Sequence, residues 1–290
     1  MANAITRGKT YVPYLDAAYA QASKSAVLDA EDQLVRLGAN GHDILIAKMS
    51  LVGLGNTTAG GAYADGDVTL TWETINPSYE RSRVFKIKDI DNEETAGVAM
   101  GSLANEFVRS KVVPEVDAVR FAAYASTTNI STVNGATLAN SGADFLAALA
   151  TARTTMKENS VDLSQCYLFV TPTVYDPVRT LATTASREVL EGFAGIIEVP
   201  QSRFYTGVTL DAGATANVGG YAKTESTGKD INFLIVDKTA VVQAKKHENP
   251  KIFTPEEARG GSYWEFDYGI YGVNHIKDNK VAGVYLHKKA

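Results

Sequence analysis

The chain has 290 residues, of which 45% are hydrophobic and 21% charged, an ordinary soluble composition with material for one large domain or two small ones. Lys and Arg number 28 against 33 Asp and Glu, a net charge of −5 that argues against a dedicated nucleic-acid-binding module. Cys166 is the one cysteine, which excludes an intrachain disulfide and fits a reducing compartment; no apolar run approaches the ~20 residues of a membrane span, and the start MANAITRGKTYVPYLD lacks a signal-peptide core, so folding in the cytoplasm is expected.

Residues 1–40 read as an arm. Pro13 biases Val12 toward extended backbone, and Leu15, Tyr19 and Ala22 then share one face of a short helix that is marginal without a surface to lie on. Gly38 and the turn pair Asn40-Gly41 end it. From Asp43 to Ile90 the pattern is a long hairpin and its return. Asp43–Ile46 is a strand signal, Leu51–Ala62 is glycine-rich and uncharged, and Val68, Leu70 and Trp72 alternate with polar residues as in a half-buried strand. A bare tip carrying Leu51, Val52 and Leu54 would be an aggregation hazard, so another subunit is expected to cover it. No GxxxxGK[ST] motif accompanies the glycines, which argues against a phosphate cradle.

Asp91–Ala125 is the longest helical pattern in the chain. Asp91 and Glu94 have cap and N3 spacing, and Met100, Leu103, Phe107, Val112, Val116, Val119 and Ala123 follow at helical intervals. Gly97, Gly101 and Pro114 inside it predict a bend. Thr127–Ser141 is a polar connector. Phe145, Leu149, Ala152 and Met156 give the next helix a buried stripe; Tyr167–Val170, Ile196–Val199 and Ile231–Val236 are strands, and Leu210–Lys229 reads as an exposed excursion. Strands alternating with helices predict a mixed α/β unit over 128–245. The strands at Trp264–Ile270 and Ala282–Leu286 are expected to form a closing hairpin packed on the long helix.

A search for chemistry finds little. His42, His247, His275 and His287 have no second ligand at a recognised metal spacing, and neither GxSxG nor GxGxxG occurs. Glu93-Glu94 and Glu256-Glu257 read as helix starts, and Cys166 as a buried structural thiol. No catalytic residue, cofactor site or metal site is expected.

Several runs resemble the major capsid proteins of tailed bacteriophages: KDIDNEETAGVA from Lys88, FVRSKVVPEVD from Phe107, VPQSRFY from Val199, KDINF from Lys229 and KVAGVYLHKK from Lys280. The likeness spans nearly the whole chain, and its specificity lies in the order of the matches. It implies an α+β fold with an N-terminal arm (1–40), an extended β-hairpin loop (41–80), a peripheral domain with a spine helix (81–127 and 246–290) and an axial α/β domain (128–245). It implies self-assembly through hexamers and pentamers into an icosahedral shell around double-stranded DNA, within a virion assembled in the host cytoplasm. Implied partners are other copies, a portal protein, in some shells decoration proteins, and DNA touched without sequence specificity; no membrane is implied. Residues 49–81 hold no lysine, which counts against the covalent cross-link some relatives form, and an arm beginning at Met1 implies a separate scaffolding protein. Candidate intersubunit residues are Leu51, Val52, Leu54, Tyr11, Leu15 and Tyr19. Two other readings stay open: a bacterial nanocompartment shell of the same fold, filled with protein, and a hydrolase using Asp and Glu, which would be a small soluble particle with a polar pocket.

Overall fold

The structure, a computed structural model, describes residues 23–29, 36–37, 44–55, 65–75, 79–94, 98–135, 138, 142–181, 188–213, 218–248, 250–257 and 261–289. The helical run is its axis. Asp89–Glu94 forms a first helix; Val98–Phe107, a π-turn at Val108–Val112 and Val113–Ser126 then make one continuous rod. At 1.5 Å per residue this rod is about 43 Å long. The first helix starts ahead of Asp91, so Asp91 lies in the first turn with Asp89, where both charges favour the helix dipole.

Pro114 accounts for the π-turn. It has no N–H to donate, and in a regular α-helix its ring would press on the carbonyl of Ser110. The helix widens instead: Val113 donates its N–H to the carbonyl of Val108, one residue further back than in an α-turn, and the rod passes Pro114 unbroken.

The strands in chain order are β1 (Arg36–Leu37), β2 (Ile44–Leu51), β3 (Val68–Ile75), β4 (Tyr79–Lys88), β5 (Ser131–Val133), β6 (Cys166–Val170) and β7 (Gly195–Glu198), then β8 (Val208–Leu210), β9 (Tyr221–Lys223), β10 (Ile231–Asp237), β11 (Val241–Glu248), β12 (Lys251–Phe253), β13 (Tyr263–Ile276) and β14 (Val284–Lys288). β1, β2 and β3 form an antiparallel ribbon. β13 takes β4 along one edge and β11 and β12 along the other. A five-stranded mixed sheet has the order β5-β14-β10-β6-β7. β8 and β9 pair as a small hairpin, so the excursion expected from Leu210 is partly ordered.

The closing hairpin expected from the sequence is not formed. β13 and β14 enter different sheets, joined by a 3-10 turn over Asp278–Gly283. Alternation marks a strand but not its partner, and β14 is an interior strand, its residues Val284–Leu286 buried between β10 and β5.

The rod serves two cores. Its first half packs Val108, Val112, Val113 and Val116 on Phe266, Tyr268 and Ile270 of β13. Its second half packs Phe121 and Tyr124 on the five-stranded sheet, with Phe121 edge-on to Phe169 and Phe204 at 5.1 and 5.0 Å between ring centres. The helices Gly142–Glu158 and Pro172–Leu181 cover the other face, where Phe145, Leu149, Ala152 and Met156 meet Phe233 and Ile235. A bulge between Ile231 and Phe233 puts Ile231 on the rod-facing side with Leu234.

Candidate assembly surfaces

The β2–β3 ribbon has two unlike faces. Residues directly opposite in an antiparallel pair point the same way, and neighbours along a strand point oppositely. The register pairs Met49 with Leu70 and Leu51 with Val68, and Trp72 shares their face. The opposite face carries Lys48, Thr69 and Thr71. Lys48 there reaches Asp278 of the turn before β14, Nζ to Oδ2 2.8 Å, so the polar side of the ribbon is turned toward the body. Met49, Leu51, Val68, Leu70 and Trp72 are 47–66% exposed. A continuous apolar face on one subunit is the signature of a surface that something else covers.

Of the residues singled out by sequence, Leu51 and Val52 are about two-thirds exposed and Leu54 fully so. Val52 and Leu54 lie just beyond the end of β2. Tyr11, Leu15, Tyr19 and Gly97 lie outside the described residues. Gly101 sits within the helix Val98–Phe107, and Pro114 opens the helix Val113–Ser126. The expectation that Val68, Leu70 and Trp72 are half-buried does not hold within the subunit; all three are exposed. Their alternation correctly marks an apolar face, but the subunit's described residues leave it uncovered.

A second surface was missed by sequence. Asp117, wholly buried in the rod, accepts from Ser23 Oγ (2.7 Å), Lys24 N (2.9 Å), Ser25 N (3.2 Å) and Ser25 Oγ (2.6 Å), and pairs with Arg203 Nη1 at 3.2 Å. One turn on, the equally buried Arg120 donates to Ser25 Oγ at 2.9 Å and faces Asp29 at 3.3 Å. Tyr124 donates to Gln243 of β11, whose amide donates in turn to Ser25 O and Asp29 Oδ1. Positions 117, 120 and 124 share one helix face, so the rod reads the segment Ser23–Asp29 with a polar stripe. The available signal was an Asp and an Arg at i, i+3 within an apolar helical pattern, where an unpaired charge would be costly.

A cleft of about 710 Å³ lies between the rod, β4, β13 and the loop after β8, with Phe85, Phe107 and Tyr268 on its floor. Arg81 bridges its wall, Nε to Glu115 at 2.6 Å and Nη1 to the Asp211 carbonyl at 2.7 Å.

Of the titratable groups singled out by sequence, His42 lies outside the described residues. Cys166 is buried in the core under the helix Gly142–Glu158, and burial pushes its thiol up to about 12. His287 is buried between β10 and β5, stacked on Phe233 at 4.9 Å; Asn232 Nδ2 donates to its Nδ1 at 3.0 Å, and burial lowers its pKa. Among the described residues no three His, Cys, Asp or Glu side chains are grouped to hold a metal ion. No helix among them is long and apolar enough to cross a membrane.

No family model matches the sequence, and no curated protein matches it. Solved structures do match. The capsid structure of cyanophage P-SCSP1u is 17% identical with a TM-score of 0.55, over 88% of this chain and 85% of that one. A virus-like particle from Pyrococcus furiosus is 12% identical with a TM-score of 0.55, over 96% and 99%. The capsid structure of Staphylococcus phage Andhra is 10% identical with a TM-score of 0.54, over 91% and 83%. The likeness therefore extends over most of this chain and most of each of these structures. This chain has the α+β fold of tailed-phage capsid proteins.

Proposed function

We propose that the chain is the structural major capsid protein of a tailed phage, assembling through hexamers and pentamers into an icosahedral shell around double-stranded DNA. The observation that supports this is the apolar face of the β2–β3 ribbon, exposed among the described residues of a chain with a capsid fold. In this reading Met49, Leu51, Val52, Leu54, Val68, Leu70 and Trp72 lie on a neighbouring copy, and the residues 41–80 act as the extended loop. Tyr11, Leu15 and Tyr19 of the arm contribute further intersubunit contacts. In this reading residues 81–127 and 246–290, with the rod, β4 and β13, are the peripheral domain, and residues 128–245, with β5, β6, β7, β10 and the two helices, are the axial one. The activity is self-association rather than catalysis.

Partners in this reading are other copies, a scaffolding protein, a portal protein and, in some shells, decoration proteins. The site of action is the virion, after assembly in the host cytoplasm. With a net charge of −5 the shell is a container rather than a DNA binder. The duplex affinity of the free subunit should then be weaker than micromolar at physiological salt.

Negative-stain microscopy and size-exclusion chromatography of the protein expressed with its scaffolding partner test the proposal. Closed particles of uniform size are expected. A well-folded monomer or dimer at high concentration under those conditions would overturn it. A second reading, a shell without a packaged genome, is favoured by the likeness to the Pyrococcus furiosus virus-like particle, which covers both chains almost whole. The nucleic-acid content of purified particles separates the two.

A further inference from the structure

We infer that the rod carries a receptor site for the chain's own segment Ser23–Asp29, and that Asp117 is the positioning residue that fixes the path of this segment on the rod. The inference rests on the shell reading only for its effect on particle yield.

The segment is held as a peptide ligand is held. Asp117 takes two consecutive backbone N–H groups, of Lys24 and Ser25, together with the hydroxyls of Ser23 and Ser25. Gln243 takes up the carbonyl of Ser25 and a carboxylate oxygen of Asp29. Leu28 is the apolar peg, buried in the core with Phe121, Tyr124 and Ile276. Main-chain groups, side chains and one apolar anchor are therefore all read, by residues from the rod, β11 and the turn at Gln201–Arg203. The contacts are long-range, Ser25 and Asp117 lying 92 residues apart, so the docking needs the folded body.

The carboxylate is what makes the site directional. Its two oxygens are shared between the Ser23–Ser25 donors and the Arg203 guanidinium, which fixes the segment's register on the rod. An amide at this position would turn an NH2 group toward donors and leave Arg203 without its buried anion. Hydrogen bonds to a charged group are worth more than neutral ones, so the exchange should loosen the segment before it loosens the sheets.

Asp117→Asn in the full chain tests this by three readouts. Tryptic cleavage after Lys24 and hydrogen exchange over residues 23–29 should rise about tenfold or more relative to wild type. Exchange in β10 and in the rod should stay at the wild-type level. The yield of closed particles should fall. Ser25→Ala, which leaves every charge in place, should give the same local pattern at smaller amplitude, and it decides the matter if Asp117→Asn does not fold. If β10 and the rod loosen together with residues 23–29, the network is part of the folding core and no separate receptor exists. An unchanged cleavage rate also overturns the docking, and normal particles built from a released segment overturn the positioning role. If wild-type protein expressed with its scaffolding partner forms no particles, the shell reading and the positioning role fall together, while cleavage and exchange still decide the docking.

Discussion

Leu51→Asp combined with Leu70→Asp puts two charges on the apolar face of the β2–β3 ribbon. Five large side chains on that face keep 47–66% of their surface exposed in the subunit. Full burial of such a side chain is worth about 1.5–3 kcal/mol, so roughly half to two-thirds of that, about 0.8–2 kcal/mol, remains to be gained at each. Summed over the face, the gain is about 4–10 kcal/mol per subunit before the cost of ordering the ribbon. The double substitution removes two of these contributions and forces two carboxylates into an apolar contact, enough to abolish a closed shell in which every subunit repeats the defect. The subunit should not notice, because surface substitutions away from packed features stay within about 0.5 kcal/mol. The melting temperature of the unassembled subunit should therefore move by about 2 °C or less. Thermal melts of the subunit and particle counts by microscopy, measured on one preparation, give both quantities. Thr69→Asp on the polar face is the control and should assemble. A double mutant that melts far below the parent would show the face packed on its own subunit; one that assembles into shells of parental stability would show that it contacts nothing.

Four further outcomes are expected. Phe121→Ala, at the junction of the rod with Phe169 and Phe204, should cost about 3–5 kcal/mol in urea unfolding. Gly272→Ala should cost about 1–3 kcal/mol by the same measurement, because a Cβ there would lie 2.6 Å from Tyr79 Oη and 2.9 Å from the Ala244 carbonyl. Cys166, its thiol pushed up to about 12, should resist Ellman's reagent at pH 8 in the native protein and react at once in urea; fast native labelling would contradict its burial. Burial lowers the pKa of His287 in the fold, so below about pH 6.5 the unfolded chain binds a proton more readily than the native chain does. Its contribution is complete above that pH and is lost as pH falls through it. Wild type should accordingly lose more urea stability between pH 7.5 and 5.5 than His287→Gln, and equal losses would refute the assignment.

Local pattern sufficed for most elements. The stripe Phe145, Leu149, Ala152 and Met156 named a helix and its buried face, and Ile231–Val236 named the central strand, because periodicity records which side of an element meets the core. The glycine-rich stretch between two strand patterns likewise announced the ribbon. The order of the runs, rather than any one motif, pointed to the capsid fold.

Tertiary structure decided the partners. Alternation at Ala282–Leu286 is the same whether the strand returns along β13 or crosses to β10, and only packing on both its faces selects β10. Val68, Leu70 and Trp72 declare an apolar face, but a period of two carries no information on whether the cover comes from the same chain or another. Pro114 in a helical pattern allows a break or a widened turn; the continuous packing of Val108, Val112, Val113 and Val116 on β13 selects the widened turn. Asp117 is the clearest case. A carboxylate on an apolar helix face is costly alone and stable with donors, and those donors arrive from Ser23, Lys24, Ser25 and Arg203, far along the chain. The sequence by itself thus determined the elements and their apolar sides, which are set by neighbours a few residues away. Strand partners and buried polar contacts were decided only in the folded chain, because their energies depend on groups that come together only there.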